Sequence, residues 1–178
     1  LYEGTAPAYL RTHPLTVERI SDMQNRTRNL RFKQRPDALD FYLVRARLRV
    51  LQEVSNQGWL DQLEYFNGQL KLRTASTDVA AHYGAALAAL KLNKPDLAFE
   101  NALAARRLTT ASSVILDKLV SETRFAAARS DEERRQALEA ARDIAARYPL
   151  SLVAVANHID LLNKSNQHQQ AIETLRTQ

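Results

Sequence analysis

Residues 78–108 read "DVAAHYGAALAALKLNKPDLAFENALAARRL", and the reading of this stretch decides the fold. Residues 78–92 are dominated by alanine and leucine, both strong helix formers. The turn-like "NKPD" at 93–96 then interrupts the pattern. Proline breaks a helix interior but suits a first turn, so one helix ends here and another begins. The second helix places small residues at Ala98, Ala102 and Ala105, one face of a helix at i, i+4 and i+7. Small residues there let two helices approach closely and interlock.

The same figure recurs outward along the chain. Matched positions in the later helix of each pair fall at Gln62, Ala98, Ala137 and Ala171, separated by 36, 39 and 34 residues. The third pair repeats the small face with Ala137, Ala141 and Ile144, followed by Pro149; the fourth has Ala171 and Leu175. Asn166 and His168 stand in its turn. The helices expected, pair by pair, are 37–58 with 59–73, 78–92 with 97–108, 113–129 with 131–148, and 152–164 with 168–178. Within the first, "VRARLRV" at 44–50 alternates like a strand, but its neighbours on both sides keep helical spacing. Ahead of the pairs, residues 1–15 are irregular around Gly4, Pro7 and Pro14. A basic helix over 16–36 follows, with Thr16 as N-cap and Leu15 and Ile20 as a staple.

A helix–turn–helix unit repeating at about 34 residues resembles the tetratricopeptide repeat. The expected fold is therefore all-α: a right-handed superhelix of about four units, degenerate in the first, preceded by a loop and a basic helix. No unit buries its apolar face alone, and stacking supplies the core. The resemblance implies that the first helix of each unit lines a concave groove. Arg47, Tyr83, Lys91, Asn157, Asp160, Asn163 and Lys164 map to groove-facing positions and are candidates for partner binding, with plain solvation as the competing reading.

Composition agrees and excludes. Hydrophobic residues are 45% and charged residues 25% of the chain, with four glycines and five prolines, too little turn punctuation for an all-β fold. No run approaches the ~18 apolar residues of a membrane-spanning helix. Cysteine is absent, which removes disulfides, thiolate metal sites and cysteine nucleophiles. The net charge of +5 lies at the front: residues 1–50 hold ten Lys/Arg against five Asp/Glu, and residues 51–178 hold fifteen of each. A solvated basic face or a surface for an acidic partner explains this better than nucleic acid, because no aromatics interleave with the arginines for base stacking.

No catalytic constellation is present. The histidines are His13, His82, His158 and His168, and none forms H-E-x-x-H. There is no phosphate-binding glycine loop. Asp131, Glu132 and Glu133 open a helix, where they answer its dipole. Trp59 reads as a core or capping residue rather than a ligand anchor.

The front of the chain resembles something more particular. Thr12, His13 and Pro14, then Arg19, Asp22, Asn25 and Arg26, together with "FYLVRARLRVL" at 41–51, are similar to the segment after the catalytic domain in the β-barrel assembly-enhancing protease family. These are periplasmic zinc metalloproteases with a C-terminal tetratricopeptide domain. The close match covers about 30 residues. It implies a catalytic domain ahead of Leu1, carrying H-E-x-x-H and a zinc ion, in an endopeptidase of outer-membrane protein assembly and quality control. It implies no cofactor in this chain itself. Partners would be that catalytic domain, docked through Arg19 and Arg26, assembling outer-membrane proteins, and the β-barrel assembly machinery. His13 is the candidate regulatory metal ligand, since a neutral imidazole can fill the position a catalytic zinc keeps open for water. An ordinary loop histidine is the competing reading. A free-standing repeat scaffold binding a peptide or helix, with no peptidase attached, is the alternative for the whole chain.

Overall fold

The computed structural model describes residues 16–28 and 37–177. The chain divides into two units, Leu1–Pro36 and Asp37–Gln178. In the first, helix α1 runs Thr16–Thr27; the expected extension to Pro36, the loop over 1–15, Leu15 and His13 lie outside the described residues. Val17, Ile20 and Met23 form an exposed apolar stripe along α1.

Among the described residues the second unit holds eight helices, all in hairpin order: α2 (Leu39–Leu51), α3 (Asn56–Leu72), α4 (Asp78–Lys91), α5 (Pro95–Arg107), α6 (Val114–Ala127), α7 (Asp131–Arg147), α8 (Leu152–Lys164) and α9 (His168–Thr177). Among the described residues there is no strand. Each later helix of a pair packs on the first helix of the next pair: α3 on α4, α5 on α6, α7 on α8. The first helices also run side by side, α2 with α4, α4 with α6 and α6 with α8. This shingled packing is compatible with a helical repeat superhelix.

Local chemistry sets the boundaries. Ser113 and Ser151 cap α6 and α8 by accepting from the amides of Leu116 and Ala154. Ser130 and Glu133 form a reciprocal capping box at the start of α7, satisfying two amides the helix leaves open. Pro95 opens α5. Asn93 and Asn166 turn the chain inside the second and fourth pairs with φ of 54° and 58°, a left-handed conformation that asparagine tolerates better than most residues.

Helix α4 lacks a polar face because it is wrapped on nearly every side, by α2, α3, α5 and α6. Six of its alanines are buried, with Tyr83 and Gly84, as expected of a helix apolar all round. The small-residue faces are buried as well: Ala98, Ala102 and Ala105, Ala137, Ala141 and Ile144, and Ala171. Leu175 is 64% exposed, because no further hairpin stacks on α9 within this chain.

The first pair departs from the expectation. One helix was expected over 37–58, but α2 stops at Leu51 and α3 begins at Asn56. Ser55 caps α3 by accepting from Gly58 N at 3.0 Å, so Gly58 lies in the first turn of α3 rather than at the end of α2. Trp59 is half-buried, and its indole N–H donates to Glu53 O at 3.1 Å, fastening the connecting loop. Gln62 occupies the position that the other pairs fill with alanine. Its amide links Arg49 (2.6 Å) to Glu53 (2.9 Å). A longer polar side chain at the hairpin seam keeps α2 off α3, and α2 packs chiefly on α4.

Candidate functional site

The first helices α2, α4, α6 and α8 together line a concave surface. One concavity of about 530 Å³ is bordered by Val44 and Arg47 from α2, Tyr83 from α4, Ile115 and Lys118 from α6, and Val153, Asn157 and Asp160 from α8. A second, of about 710 Å³, adjoins it through Arg47 and Lys118 and adds Lys91, Glu122 and Lys164 over an apolar floor that includes Leu87 and Phe125.

The polar groups differ in freedom. Asp160 is paired with Lys164 at 2.7 Å, and Glu122 with Lys118. Arg47 has no carboxylate partner among the described residues, and its guanidinium stands near the Tyr83 hydroxyl. Burial pushes the Tyr83 phenol above its ordinary pKa, while the nearby Arg47 guanidinium pulls the other way. Asn157 is nearly buried and donates to Ser121 Oγ at 3.3 Å, fixing α8 to α6. The result is a half-apolar surface whose uncompensated charge is positive, centred on Arg47.

The sequence-derived candidates divide accordingly. Arg47, Tyr83, Asn157 and Asp160 come together in one concavity; Lys91 and Lys164 line the adjoining one. Asn163 lines neither and faces His168 Nδ1 at 3.2 Å near the last turn. Lys91 lies 5.7 Å from the Trp59 ring centre. On α1, Arg26 pairs with Asp22 at 2.9 Å and Arg19 is exposed.

Lys118, Ile115 and Val153 were not among the candidates. A signal for Lys118 existed: it stands 35 residues after Tyr83 and 39 before Asn157, the repeat spacing carried through α6.

Among the described residues no three His, Cys, Asp or Glu side chains form a metal-binding group. His82 Nδ1 meets Asn101 Oδ1 at 2.9 Å. His158 is 9% exposed, and burial, with the Arg142 charge nearby, lowers its pKa. Among the described residues no helix is long and apolar enough to cross a membrane.

No family model and no solved structure matches this chain. Over 97 residues it is 36% identical to the β-barrel assembly-enhancing protease of Escherichia coli K12, and equally to the proteins of that name from Shigella flexneri and Escherichia coli O157:H7. The match takes in 53% of this chain and 19% of each relative; the chain thus spans about a fifth of the length of the curated relatives to which it is similar.

Proposed function

We propose that this chain is a tetratricopeptide-type protein-interaction domain of a larger periplasmic zinc metalloendopeptidase that serves outer-membrane β-barrel assembly and quality control. Its concave face holds a polypeptide client or docks on the assembly machinery. The observation that carries this reading is the convergence of one polar side chain from each first helix, Arg47, Tyr83, Lys118 and Asn157, beside Val44, Ile115 and Val153. Aliphatic positions supply contact area, while the polar groups fix register. The similarity to proteins named for protease action in β-barrel assembly supports the setting.

The described residues do not fit a zinc ion. On this reading the metal belongs to the catalytic part that the resemblance implies, with His13 as a regulatory ligand and Arg19 and Arg26 facing that part. His13→Ala in the intact enzyme is expected to raise basal proteolysis; unchanged or lower activity with normal folding refutes the regulatory role.

The test of the groove uses the intact protein in cells. A photo-crosslinking residue at Val153, 48% exposed at the groove, is expected to trap outer-membrane β-barrel precursors or assembly-machinery subunits. The same residue at exposed Arg107 on α5 serves as control. Arg47→Glu should reduce the Val153 adducts severalfold while leaving the circular dichroism unchanged. Equal adducts at both positions, or none lost in Arg47→Glu, overturn the groove. A gene beginning close to Leu1 would instead favour the free-standing scaffold.

A further inference from the structure

The alternation in "VRARLRV" gives α2 two basic faces. At about 100° per residue, Arg45 and Arg49 stand on one side, and Arg47 lies roughly 200° from Arg45. Arg47 borders the concave groove. Arg45 and Arg49 line a separate cleft of about 400 Å³ between α2, α3 and the start of α4. That cleft is open because Gln62, bridging Arg49 and Glu53, stands where the other hairpins interlock over alanine.

Both guanidinium groups are held in place by neutral neighbours. Arg49 lies 3.7 Å from the centre of the Tyr65 ring and donates through Nε to Gln62. Arg45 lies 5.8 Å and 6.0 Å from the Tyr42 and Phe41 rings and donates to Ser76 Oγ at 3.3 Å. Among the described residues neither has a carboxylate within ion-pair distance, whereas Arg106, Arg129, Arg134, Arg135, Arg142 and Arg147 all do. Of five N–H donors on each group, these bonds use one. The Tyr65 hydroxyl accepts from Gln69 at 3.0 Å, which leaves its own O–H able to donate. Two like charges a turn apart repel, so the arrangement is unfavourable until an anion joins it.

We infer that this cleft is a second docking site, which takes an acidic polypeptide segment. Carboxylates at i and i+2 of an extended chain lie ~7 Å apart on one face and match two arginines one helical turn apart. Planar guanidinium forks suit carboxylates bidentately. Leu48, 53% exposed at the same cleft, receives an aliphatic side chain further along the segment. That apolar contact favours a peptide over a bare inorganic anion. The site is independent of the groove: it lies on the other side of α2 and uses none of the groove's residues.

The test is fluorescence anisotropy with the 178-residue chain and a labelled, end-blocked peptide Glu-Thr-Glu-Thr-Leu. Saturable binding that weakens with salt is expected, with little for Gln-Thr-Gln-Thr-Leu. Arg45→Gln and Arg49→Gln should each weaken it about tenfold or more, while Arg107→Gln, exposed on α5, leaves it unchanged. Because Arg49 also supports Gln62 and Tyr65, Arg45→Gln is the decisive variant; its one hydrogen bond goes to exposed Ser76. The inference is overturned by absence of binding, by full binding to Arg45→Gln, by equal loss in Arg107→Gln, or by displacement of the peptide with inorganic phosphate at equal concentration. Any of these leaves the Val153 crosslinking result standing, so the two sites fail separately.

Discussion

Arg106 of α5 and Asp117 of α6 meet across the seam between two hairpins, with Nε 2.8 Å from Oδ1. The other carboxylate oxygen accepts from Tyr148 at 2.9 Å and from Arg147 at 3.4 Å, both at the end of α7. Arg106 in turn donates to Thr109 O at 2.8 Å, closing the α5–α6 loop. One carboxylate, 8% exposed, thus ties three consecutive helices.

Asp117→Ala should therefore destabilise the repeat unit more than loss of any surface pair. Breaking a fully buried pair costs about 3–5 kcal/mol. Arg106 is 30% exposed and Arg147 59%, so about 2–3 kcal/mol is expected here. Tyr148→Phe, which deletes the bond to Asp117 and a second one with exposed Ser112 Oγ at 2.7 Å, should cost about 1–2 kcal/mol. Urea unfolding followed by circular dichroism measures both. Equal losses for the two variants would show that the carboxylate does not act as a hub.

A tighter constraint sits between α3 and α4. A Cβ placed on Gly84 would collide with the Phe66 ring, and Phe66 is buried, 4% exposed. Gly84→Ala should cost about 1–3 kcal/mol by overpacking, despite the better helix propensity of alanine. The signature is coupling. In a Phe66→Leu background the Gly84→Ala penalty should shrink or vanish; strict additivity in the double-mutant cycle contradicts the close approach.

These contacts show what a sequence can and cannot convey. The break at the 93–96 turn was legible in the sequence, although α5 begins at Pro95 rather than at 97, and α8 falls at its expected limits of 152–164. The α2–α3 break was hidden because Val54 follows Val50 at helical spacing, although Val50 is fully buried and Val54 is 90% exposed in the loop. Gly58 looked like a stop for the same reason. Residue identity marked Arg47 and Tyr83, whose neighbours are a matter of register. It did not mark the cleft at Arg45 and Arg49, which depends on how far α2 stands from α3, a distance that Gln62 controls through contacts and not through periodicity.

His158 gives the fold a pH dependence of defined sign. Its native pKa lies below the ordinary 6.5 because burial and the Arg142 charge disfavour the imidazolium. Below about pH 6.5 the unfolded chain takes up a proton that the native state refuses, so stability falls as pH drops and levels off once the native pKa is passed. Carboxylates add their own slope at lower pH, so the comparison between variants is the measurement. His158→Gln should lose less stability than the parent between about pH 7.5 and 5.5, read from urea midpoints. Parallel curves would place the imidazolium penalty elsewhere.

Gln62 is the residue on which the first hairpin turns. Replacing it with alanine restores the small residue used by the other pairs but removes the bonds to Arg49 and Glu53. The lost bonds involve charged groups, worth about 1.5–3 kcal/mol each when intact, partly recovered as Arg49 and Glu53 turn to each other or to water. A net loss of about 1–2 kcal/mol is expected. Its location is more diagnostic than its size. Because α2 packs chiefly on α4 and scarcely on α3, amide hydrogen exchange should quicken in α2 and the Gln52–Ser55 loop while α5 to α8 keep their protection. Uniform acceleration along the whole chain would mean that Gln62 supports the stack rather than the standing-off of one helix, and with it the origin assigned to the Arg45–Arg49 cleft would fall.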